Sequence, residues 1–518
     1  MDKEVFPMVM ERRLGKAATL AVVALALTVP ARPDGFRGGV REALGLRFEA
    51  ARDDGIPRIR ARRGGTSAMA RLRYWNAVAN DASGLDHTPL AAGETRVFGE
   101  QIGPGRASRA MAIVHIAMFE AINAVLGGYQ SYVGLPFEGP RSSMDAAIAQ
   151  AAHDTLVVLF PSQAASVDDL LAEELSGIRD GRAKTAGIDL GRRAAFAILS
   201  LRNDDGSQHA ELRVGAGFTV SASPGKWRQD PVSQIPLALG SHWGEVKPFV
   251  LASPDQFRTP PPPAMESAEY AAAYDEVKRL GGDGVTTSTQ RTTEQTMAGL
   301  YWAYDGTPSL CAPPRLYNQI TLLIAEQMGT PVDELARLLA LVNVAMADAG
   351  TAIWESKYHY QVWRPITGIR EADAGTGPTG LGDGNPATRG DASFVPLGAP
   401  ASNLTGPNFT PPFPSYPSGH AGFGGALFQI LRRFYGTDHI PFTFISDELN
   451  GETLDRDGSV RPMMPRTFAT LSQAEEQNGQ SRIYLGIHWS FDKTEGISQG
   501  RRVADWVYDH AFQPARRR

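Results

Sequence analysis

The sequence predicts an all-α fold in which helical bundles are connected by long Pro/Gly-rich loops. Two observations support this prediction: apolar residues recur with helical spacing along most of the chain, and no alternating strand pattern of useful length occurs. We expect two four-helix-type bundles. With 518 residues, of which 42% are apolar and 21% charged, the chain is long enough for two domains and has the composition of a soluble globular protein.

Residues 1–31 are either an export signal or an N-terminal tail. Arg12, Arg13 and Lys16 precede an apolar run over 17–29, which is the order of regions found in export signals. A helix at the start of a cytoplasmic protein is the alternative, so secretion and a cytoplasmic location both stay open. The run is about 13 residues long, too short to span a bilayer. We therefore predict no transmembrane span here or elsewhere in the chain.

Residues 32–264 are predicted to form an N-terminal helical half. The stretch 32–105 is rich in Arg, Gly and Asp with weak periodicity, which indicates loops and short elements. Helical patterns follow at about 106–125, 144–160, 165–178 and 184–202. We interpret His115, within the first of these patterns, as a core histidine. Few helical runs and many Gly, Pro and Ser occur over 204–264, which predicts a long linker or wrapping loop.

Residues 265–518 are predicted to form a C-terminal helical bundle that carries the chemistry. Helical patterns resume at about 266–280, 288–303, 314–328 and 335–349. Beyond them lie three short clusters that combine cationic side chains, a Ser-Gly pair and histidines. Each cluster alone would be ordinary for a helical protein, so their combination carries the functional hypothesis.

The first cluster is Lys357-Tyr-His-Tyr-Gln-Val-Trp-Arg364-Pro365. A spacing of seven would place Lys357 and Arg364 on one face of a helix, about 10 Å apart along its axis. Pro365 would then end that helix. A solvated basic face is the alternative interpretation, but Trp354 and Trp363 flank the pair and favour a face that is not simply in water.

The second cluster is Phe413-Pro-Ser-Tyr-Pro-Ser-Gly-His420. Its two prolines disfavour helix in the residues before them, so a helix is predicted to begin at Ser418 and Gly419. Ser is a preferred cap, and Gly lets the backbone approach a ligand closely. The free amides and the positive end of the helix dipole favour a bound oxyanion, and His420 would lie beside it.

The third cluster is Ser481-Arg482-Ile-Tyr-Leu-Gly-Ile-His488. A spacing of six does not place Arg482 and His488 on one face of a straight helix, so we predict a bend at Gly486 that directs both to one centre. If Lys357 and Arg364 converge there too, the cations cannot remain unpaired, because an uncompensated buried charge costs several kcal/mol. The three clusters together therefore predict a site for a phosphate-like anion.

In order and spacing, the clusters resemble the signature shared by the vanadium-dependent haloperoxidases and the phosphatidic-acid-phosphatase-type acid phosphatases. The matching motifs are Lys-x6-Arg-Pro, Pro-Ser-Gly-His and Ser-Arg-x5-His, and further matching text includes Ala303-Tyr-Asp-Gly306 and Pro313-Pro-Arg-Leu-Tyr-Asn-Gln319. The likeness covers about 300–492 and is greater to the haloperoxidases. It implies vanadate as the cofactor, with hydrogen peroxide, a halide and a small organic molecule as partners.

The resemblance also implies a role for each matching residue. His488 would ligate vanadium, His420 would act as acid and base, and Asp305 would steady Arg482. Trp354 and Phe413 would line the halide side, where Phe favours chloride over bromide. Lys357 would also polarise the oxidant. Five residues would donate hydrogen bonds to the vanadate oxygens: Lys357, Arg364, Ser418, Gly419 and Arg482.

Two other functions remain as alternatives. In an acid phosphatase, His488 would be the nucleophile that forms a phosphohistidine and His420 would protonate the leaving group; Trp354, Phe413 and Asp305 favour the peroxidase. A helical binding module with a degenerate site is the other, and the intact set of site residues argues against it. A formal charge of −5 speaks against a nucleic-acid partner. The oligomeric state stays open, with a homodimer as one alternative.

Overall fold

The computed structural model of this protein describes residue 36 and residues 38–51 and 56–515. The candidate export signal over 1–31 lies outside the described residues. All described residues belong to one compact unit.

Helices dominate the described residues, which confirms the all-α class. The α-helices in chain order are α1 (Val40–Leu44), α2 (Ala68–Asp86), α3 (Gly103–Leu126), α4 (Met144–Leu159), α5 (Ala164–Ser176), α6 (Arg182–Leu201), α7 (Ala268–Leu280), α8 (Thr293–Tyr301), α9 (Pro313–Gln327), α10 (Val332–Tyr360), α11 (Pro365–Arg370), α12 (Gly419–Tyr435), α13 (Leu471–Tyr484) and α14 (Ser490–His510).

The strands are two or three residues long and serve only to tie loops together. They are β1 (Glu49–Ala50), β2 (Leu212–Val214), β3 (Gly217–Phe218), β4 (Leu237–Ala238), β5 (Leu404–Thr405), β6 (Phe442–Phe444) and β7 (Arg466–Phe468). β1 pairs with β5 and β6 with β7, both antiparallel. β2 lies between a parallel β3 and an antiparallel β4.

All eight helical patterns named from periodicity occur, as α3 to α10. The expectation of only loops and short elements over 32–105 is wrong, because α2 is 19 residues long. Its periodicity is weak because its buried face carries polar side chains with internal partners. Arg71, for example, pairs with the buried Glu174, and Asn76 accepts a hydrogen bond from His115 Nε2 at 2.7 Å. His115 is thus a core histidine, as predicted.

α3 and α10 form the centre of the molecule and lie against each other. Both are long and apolar enough to cross a membrane, yet 94% and 100% of their most apolar stretches are buried inside the protein. Their apolar character is therefore used in the core. α10 also packs against α12 and α14, which form the most extensive helix pair of the C-terminal half.

The segment between α6 and α7, which has no α-helix among its described residues, packs against the rest of the protein. Of the two alternatives, a linker or a wrapping loop, the structure shows the wrapping loop. Trp227, Leu237 and Trp243 in this segment are buried. Gly240 lies so near α10 that a Cβ atom there would stand 2.3 Å from Trp354 Nε1. Only glycine permits this approach, which brings the first half of the chain to the site described next.

Candidate functional site

A cavity opens where α10, α12 and the α13–α14 turn meet. We call the surface formed by Asp305, His420, Arg482 and His488 the charged wall. A second part of the lining, which we call the apolar wall, is formed by Leu44, Ile102, Leu237, Leu239, Phe409 and Pro411. Trp354, Phe413 and Gly419 also line the cavity. Lys357, Arg364 and Ser418 lie behind this lining and contact it.

The start of α12 at the cavity matches its prediction. Ser418 is the N-cap, and its hydroxyl accepts a hydrogen bond from Ala421 N at 3.4 Å. Ser418 N donates to Asp492 O at 2.9 Å, which fixes the helix start against α14. Gly419 and His420 form the first turn, where backbone amides have no partner within the helix. The positive end of the α12 dipole therefore points at the charged wall.

Lys357 and Arg364 do converge, but the prediction that they lie on one face of the same helix is wrong. α10 ends at Tyr360, because Gln361 adopts a left-handed conformation with φ 53°. Arg364 is instead the N-cap of α11, and Pro365 begins that helix. Proline is favoured at a first helical position, since its missing N–H would have no helical partner there. Lys357 therefore lies near the end of α10 and Arg364 at the start of α11, so their spacing of seven does not lie on one helix.

The loop that precedes α12 brings the two cations together. Lys357 Nζ donates to the carbonyl oxygens of Pro414 and Ser415, each at 2.8 Å. Arg364 Nε donates to the carbonyl of Phe413 at 2.9 Å. The Phe413 ring lies over both charges, with its centroid 5.1 Å from Lys357 Nζ and 5.0 Å from Arg364 Cζ. These contacts leave part of each cation available for a further acceptor.

Gly486 produces the predicted bend between Arg482 and His488. Its φ is +73°, and a Cβ atom there would stand 2.4 Å from Gly281 O. α13 therefore ends and α14 restarts in a new direction, so that both side chains reach the same cavity. Arg482 Nη2 donates to both carboxylate oxygens of Asp305, at 2.6 and 2.8 Å.

His488 is held in one tautomer by Asp492. His488 Nδ1 donates to Asp492 Oδ2 at 2.7 Å, which leaves a lone pair on Nε2. In this structure Nε2 accepts from Arg364 Nη1 at 2.9 Å. Asp492 Oδ2 also accepts from Ser415 Oγ and from Trp489 N. Sequence reasoning assigned no role to Asp492, although its position four residues after a histidine was a usable signal.

His420 is fixed through its ring and its backbone. Nε2 donates to the carbonyl of Ala303, so the lone pair of the neutral ring is on Nδ1. The His420 carbonyl accepts from Tyr317 Oη at 3.0 Å and from Asn478 Nδ2 at 2.9 Å. Burial and the nearby positive charge of Arg482 lower the pKa of His420 well below 6.5. The ring therefore favours its neutral form in this structure, with the Nδ1 lone pair unprotonated.

The buried charges around the cavity are out of balance. Lys357, Arg364 and Arg482 are at most 1% exposed, and Asp305 and Asp492 are the carboxylates in contact with them or with His488. Burial lowers the pKa of Lys357 well below 10.5 and that of Arg364 to about 9. A bound anion would reverse both shifts, because an opposite charge favours the ammonium and guanidinium forms.

Three guanidinium nitrogens at this centre have no hydrogen-bond partner within the described part of the chain: Arg364 Nη2, Arg482 Nε and Arg482 Nη1. Buried donors of this kind normally have partners, since an unsatisfied charged donor is costly. Guanidinium groups bind oxyanions through paired N–H donors. The side chains present therefore fit an oxyanion, and the His488 Nε2 lone pair fits a ligand to its central atom.

Trp354 and Phe413 form an aromatic pair in the cavity lining. Their ring centroids are 4.9 Å apart. Trp354 Nε1 donates to the carbonyl of Leu239 at 3.1 Å, so the wrapping segment positions this ring. His87 also lines the cavity and was not predicted; its ring nitrogens are used by Ser83 O and Gly103 N. Four other histidines, His153, His359, His439 and His510, do not line it.

Buried cations beside two histidines in a helical bundle form a site whose chemistry fits an oxyanion. Residues 337–517 match the family profile of the VCPO second helical-bundle domain. The chain is 31% identical over 505 residues to vanadium chloroperoxidase from Curvularia inaequalis, which covers 81% of this chain and 78% of that protein.

Two bacterial crystal structures share the fold. A vanadium-dependent iodoperoxidase superposes with a TM-score of 0.67 at 23% identity, covering 86% of this chain and 98% of that one. An apo vanadium-dependent chloroperoxidase superposes with a TM-score of 0.57 at 16% identity, covering 79% and 94%. The chain belongs to the vanadium-dependent haloperoxidase family, and it is an enzyme that oxidises a halide with hydrogen peroxide.

Proposed function

We propose that the cavity binds vanadate and that the enzyme oxidises chloride or bromide to a hypohalous species, which then halogenates small organic molecules. The observation that carries this proposal is a set of three guanidinium nitrogens on Arg364 and Arg482 that have no hydrogen-bond partner among the described residues, beside the Nε2 atom of His488. Vanadate would accept from these donors, and His488 would exchange its hydrogen bond from Arg364 for the metal.

Each site residue receives a role on this proposal. His488 is the metal ligand, and Asp492 holds its Nδ1 proton so that Nε2 keeps the lone pair. Asp305 orients Arg482 through two hydrogen bonds. The oxygens of vanadate would be held by Lys357, Arg364, Ser418, Gly419 and Arg482.

When bound, vanadate supplies a Lewis acid that activates hydrogen peroxide without a change in its own oxidation state. His420 Nδ1 would take the proton that peroxide gives up, because its lone pair is available while Nε2 donates to Ala303 O, and the bound anion would raise the pKa that burial and nearby cations lower. Lys357 would donate toward the oxidant, since its ammonium is already oriented by the carbonyls of Pro414 and Ser415. Cations already in place stabilise the negative charge on the leaving oxygen.

The aromatic pair Trp354 and Phe413 is assigned to the halide side. Phe413 offers no hydrogen-bonding group, so a halide there would be met by ring edges and by the Lys357 ammonium, 5.1 Å from the Phe413 centroid. Phe at this position favours chloride competence. The name of the Curvularia inaequalis relative, a chloroperoxidase, agrees with this assignment.

One comparison tests the proposal against its alternative, an acid phosphatase that forms a phosphohistidine at His488. The purified protein is incubated with vanadate, peroxide and either chloride or bromide, and halogenation of a dye is measured beside hydrolysis of a phosphate ester. We expect halogenation that depends on added vanadate. Phosphate-ester hydrolysis that vanadate merely inhibits, without halogenation, would rule the proposal out in favour of the phosphatase.

We also propose that 265–518 is the site-bearing bundle and 32–264 the half that completes the cavity. The boundary falls between α6 and α7, and the motif residues lie beyond it. Several residues of the apolar wall come from the first half, among them Ile102, Leu237 and Leu239. A homodimer stays a prediction, and light scattering on the purified protein would decide it.

A further inference from the structure

The charged wall depends on one backbone turn, Ala303-Tyr304-Asp305. The Ala303 carbonyl accepts the ring hydrogen bond of His420, and the Asp305 carboxylate accepts both hydrogen bonds from Arg482 Nη2. Tyr304 between them has φ 45°, a left-handed conformation that is uncommon for a bulky side chain. Such a conformation persists only when the surrounding contacts enforce it.

Glu448 supplies such a contact from behind the turn, outside the cavity lining. It lies in the 3-10 helix Asp447–Leu449 and is fully buried. Glu448 Oε1 accepts from Tyr304 N at 3.0 Å. Its other oxygen, Oε2, accepts from Ser402 Oγ at 2.6 Å and from Arg461 Nη1. Oε1 of Glu448 thus holds the turn, while the hydrogen bonds to Oε2 hold the Glu448 carboxylate itself in place.

The neighbouring residue holds the other end of the same tyrosine. Asp447 N donates to Tyr304 Oη at 2.7 Å. Two consecutive residues of the 3-10 helix therefore bind the amide and the phenol of Tyr304. Arg461 Nη1 also donates to Ser402 Oγ at 2.9 Å, so the carboxylate of Glu448 is restrained from two sides.

We propose that Glu448 is a positioning residue for the oxyanion centre. By accepting from Tyr304 N it holds the left-handed turn, so that the Ala303 carbonyl stays on His420 and the Asp305 carboxylate stays on Arg482. This inference rests on the proposed vanadate function. It assigns control of the charged wall to a carboxylate that touches neither the anion nor the substrates.

Two mild substitutions separate this role from simple charge pairing. Glu448→Gln keeps an oxygen at the length needed to accept from Tyr304 N but loses the charge that pairs with Arg461. Glu448→Asp keeps the charge but is one methylene shorter, so it cannot reach Tyr304 and Arg461 together. The full-length protein is titrated with vanadate by calorimetry, and kcat and KM for peroxide are measured.

We expect Glu448→Asp to raise the vanadate dissociation constant about tenfold or more and to lower kcat, as for other outer-shell changes at metal sites. Glu448→Gln should stay within about threefold of the unsubstituted protein, because it retains the acceptor. The matched control is Glu174, equally buried and paired with Arg71 in the first half. Glu174→Asp and Glu174→Gln should leave vanadate affinity unchanged.

The outcome depends on which of the two Glu448 variants loses more vanadate affinity. If Glu448→Gln loses as much affinity as Glu448→Asp or more, the pairing with Arg461 is what matters and the positioning role is wrong. Unchanged affinity in both variants also overturns it. If the unsubstituted protein neither binds vanadate nor halogenates, the proposed function itself fails, which is a separate result.

Discussion

The charged wall and most of the apolar wall of the cavity come from different parts of the chain. The charged wall is built from residues between Asp305 and His488, each with hydrogen-bond partners at defined distances. Much of the apolar wall comes from α1, the start of α3 and the wrapping segment. The wrapping segment is joined to α10 by hydrogen bonds from Trp354 Nε1 and Tyr358 Oη to Leu239 O.

If the proposed function holds, this difference predicts that separate structures bind the oxyanion and select the organic substrate. A charged wall needs fixed donors, since one misplaced hydrogen bond leaves a buried charge unpaired. An apolar wall needs only shape and area, so it tolerates substitution. Changes in the two walls are therefore expected to affect different measured quantities.

The largest effects are expected from the two histidines of the charged wall. His488→Ala removes the proposed metal ligand and should abolish measurable vanadate binding. His420→Ala should keep vanadate but lower kcat by about 100-fold to 10,000-fold, the range for loss of a general acid–base group. Vanadate titration and halogenation kinetics measure both. Equal loss of vanadate in the two variants would contradict the division of roles.

A smaller effect on the same wall is expected from Asp492→Asn. The amide can no longer accept the His488 Nδ1 hydrogen bond in the same way as a carboxylate, so the tautomer with a free Nε2 loses its support. Vanadate affinity should fall by about 10-fold to 100-fold. Calorimetric titration measures this. Asp505→Asn is the matched control. Asp505 on α14 forms a partly exposed ion pair with Arg433 on α12, and its substitution should leave vanadate affinity unchanged.

The apolar wall is expected to respond in KM alone. Leu239→Ala removes apolar surface from the cavity, which should raise KM for an apolar organic substrate by about tenfold, the effect of a few lost methylene contacts. Vanadate affinity should stay within error. Leu201→Ala, at an exposed position on α6, is the control. A parallel loss of vanadate affinity in Leu239→Ala would show that the two walls are coupled.

The smallest effect lies away from both walls, at His153. Burial lowers the pKa of this ring, but hydrogen bonds to Asp154 and Asp168 outweigh burial, so its pKa is raised above 6.5. Its contribution to stability is full below pH 6.5 and is lost as the pH rises through the higher folded-state pKa. Because Asp168 is 61% exposed, solvent screening should keep the contribution below about 1 kcal/mol.

Thermal unfolding at pH 6 and pH 9 checks this prediction. The stability difference between the unsubstituted protein and His153→Gln should be larger at pH 6, while halogenation is unaffected at either pH. A difference that grows toward pH 9 would contradict the sign of the shift.

The fold class and the charged wall could be predicted because both leave local patterns. The periodicity of α3 and α10 identifies their core faces, and the three motifs place Lys357, His420 and His488 in one centre. α2 left no such pattern, since its buried positions are polar and satisfied by distant partners such as Glu174.

Other features depend on contacts between distant residues, which the spacing of residues does not reveal. Pro365 was predicted to end a helix because the sequence does not reveal that Gln361 adopts a left-handed conformation and ends α10 four residues earlier. Glu448 and Leu239 are joined to the site by hydrogen bonds to Tyr304 and Trp354, residues more than 100 positions away. The apolar wall could not be predicted, because a segment rich in Gly and Pro carries no sequence pattern that shows where it packs.

Crystallography of the protein soaked with vanadate tests the central claim most directly. The account predicts vanadium bound to His488 Nε2, with hydrogen bonds to its oxygens from Arg364 Nη2 and from Arg482 Nε or Nη1. The His488–Arg364 hydrogen bond, 2.9 Å in the present structure, should be broken. Vanadate found elsewhere, or a His488 ring that still accepts from Arg364 at saturating vanadate, would contradict it.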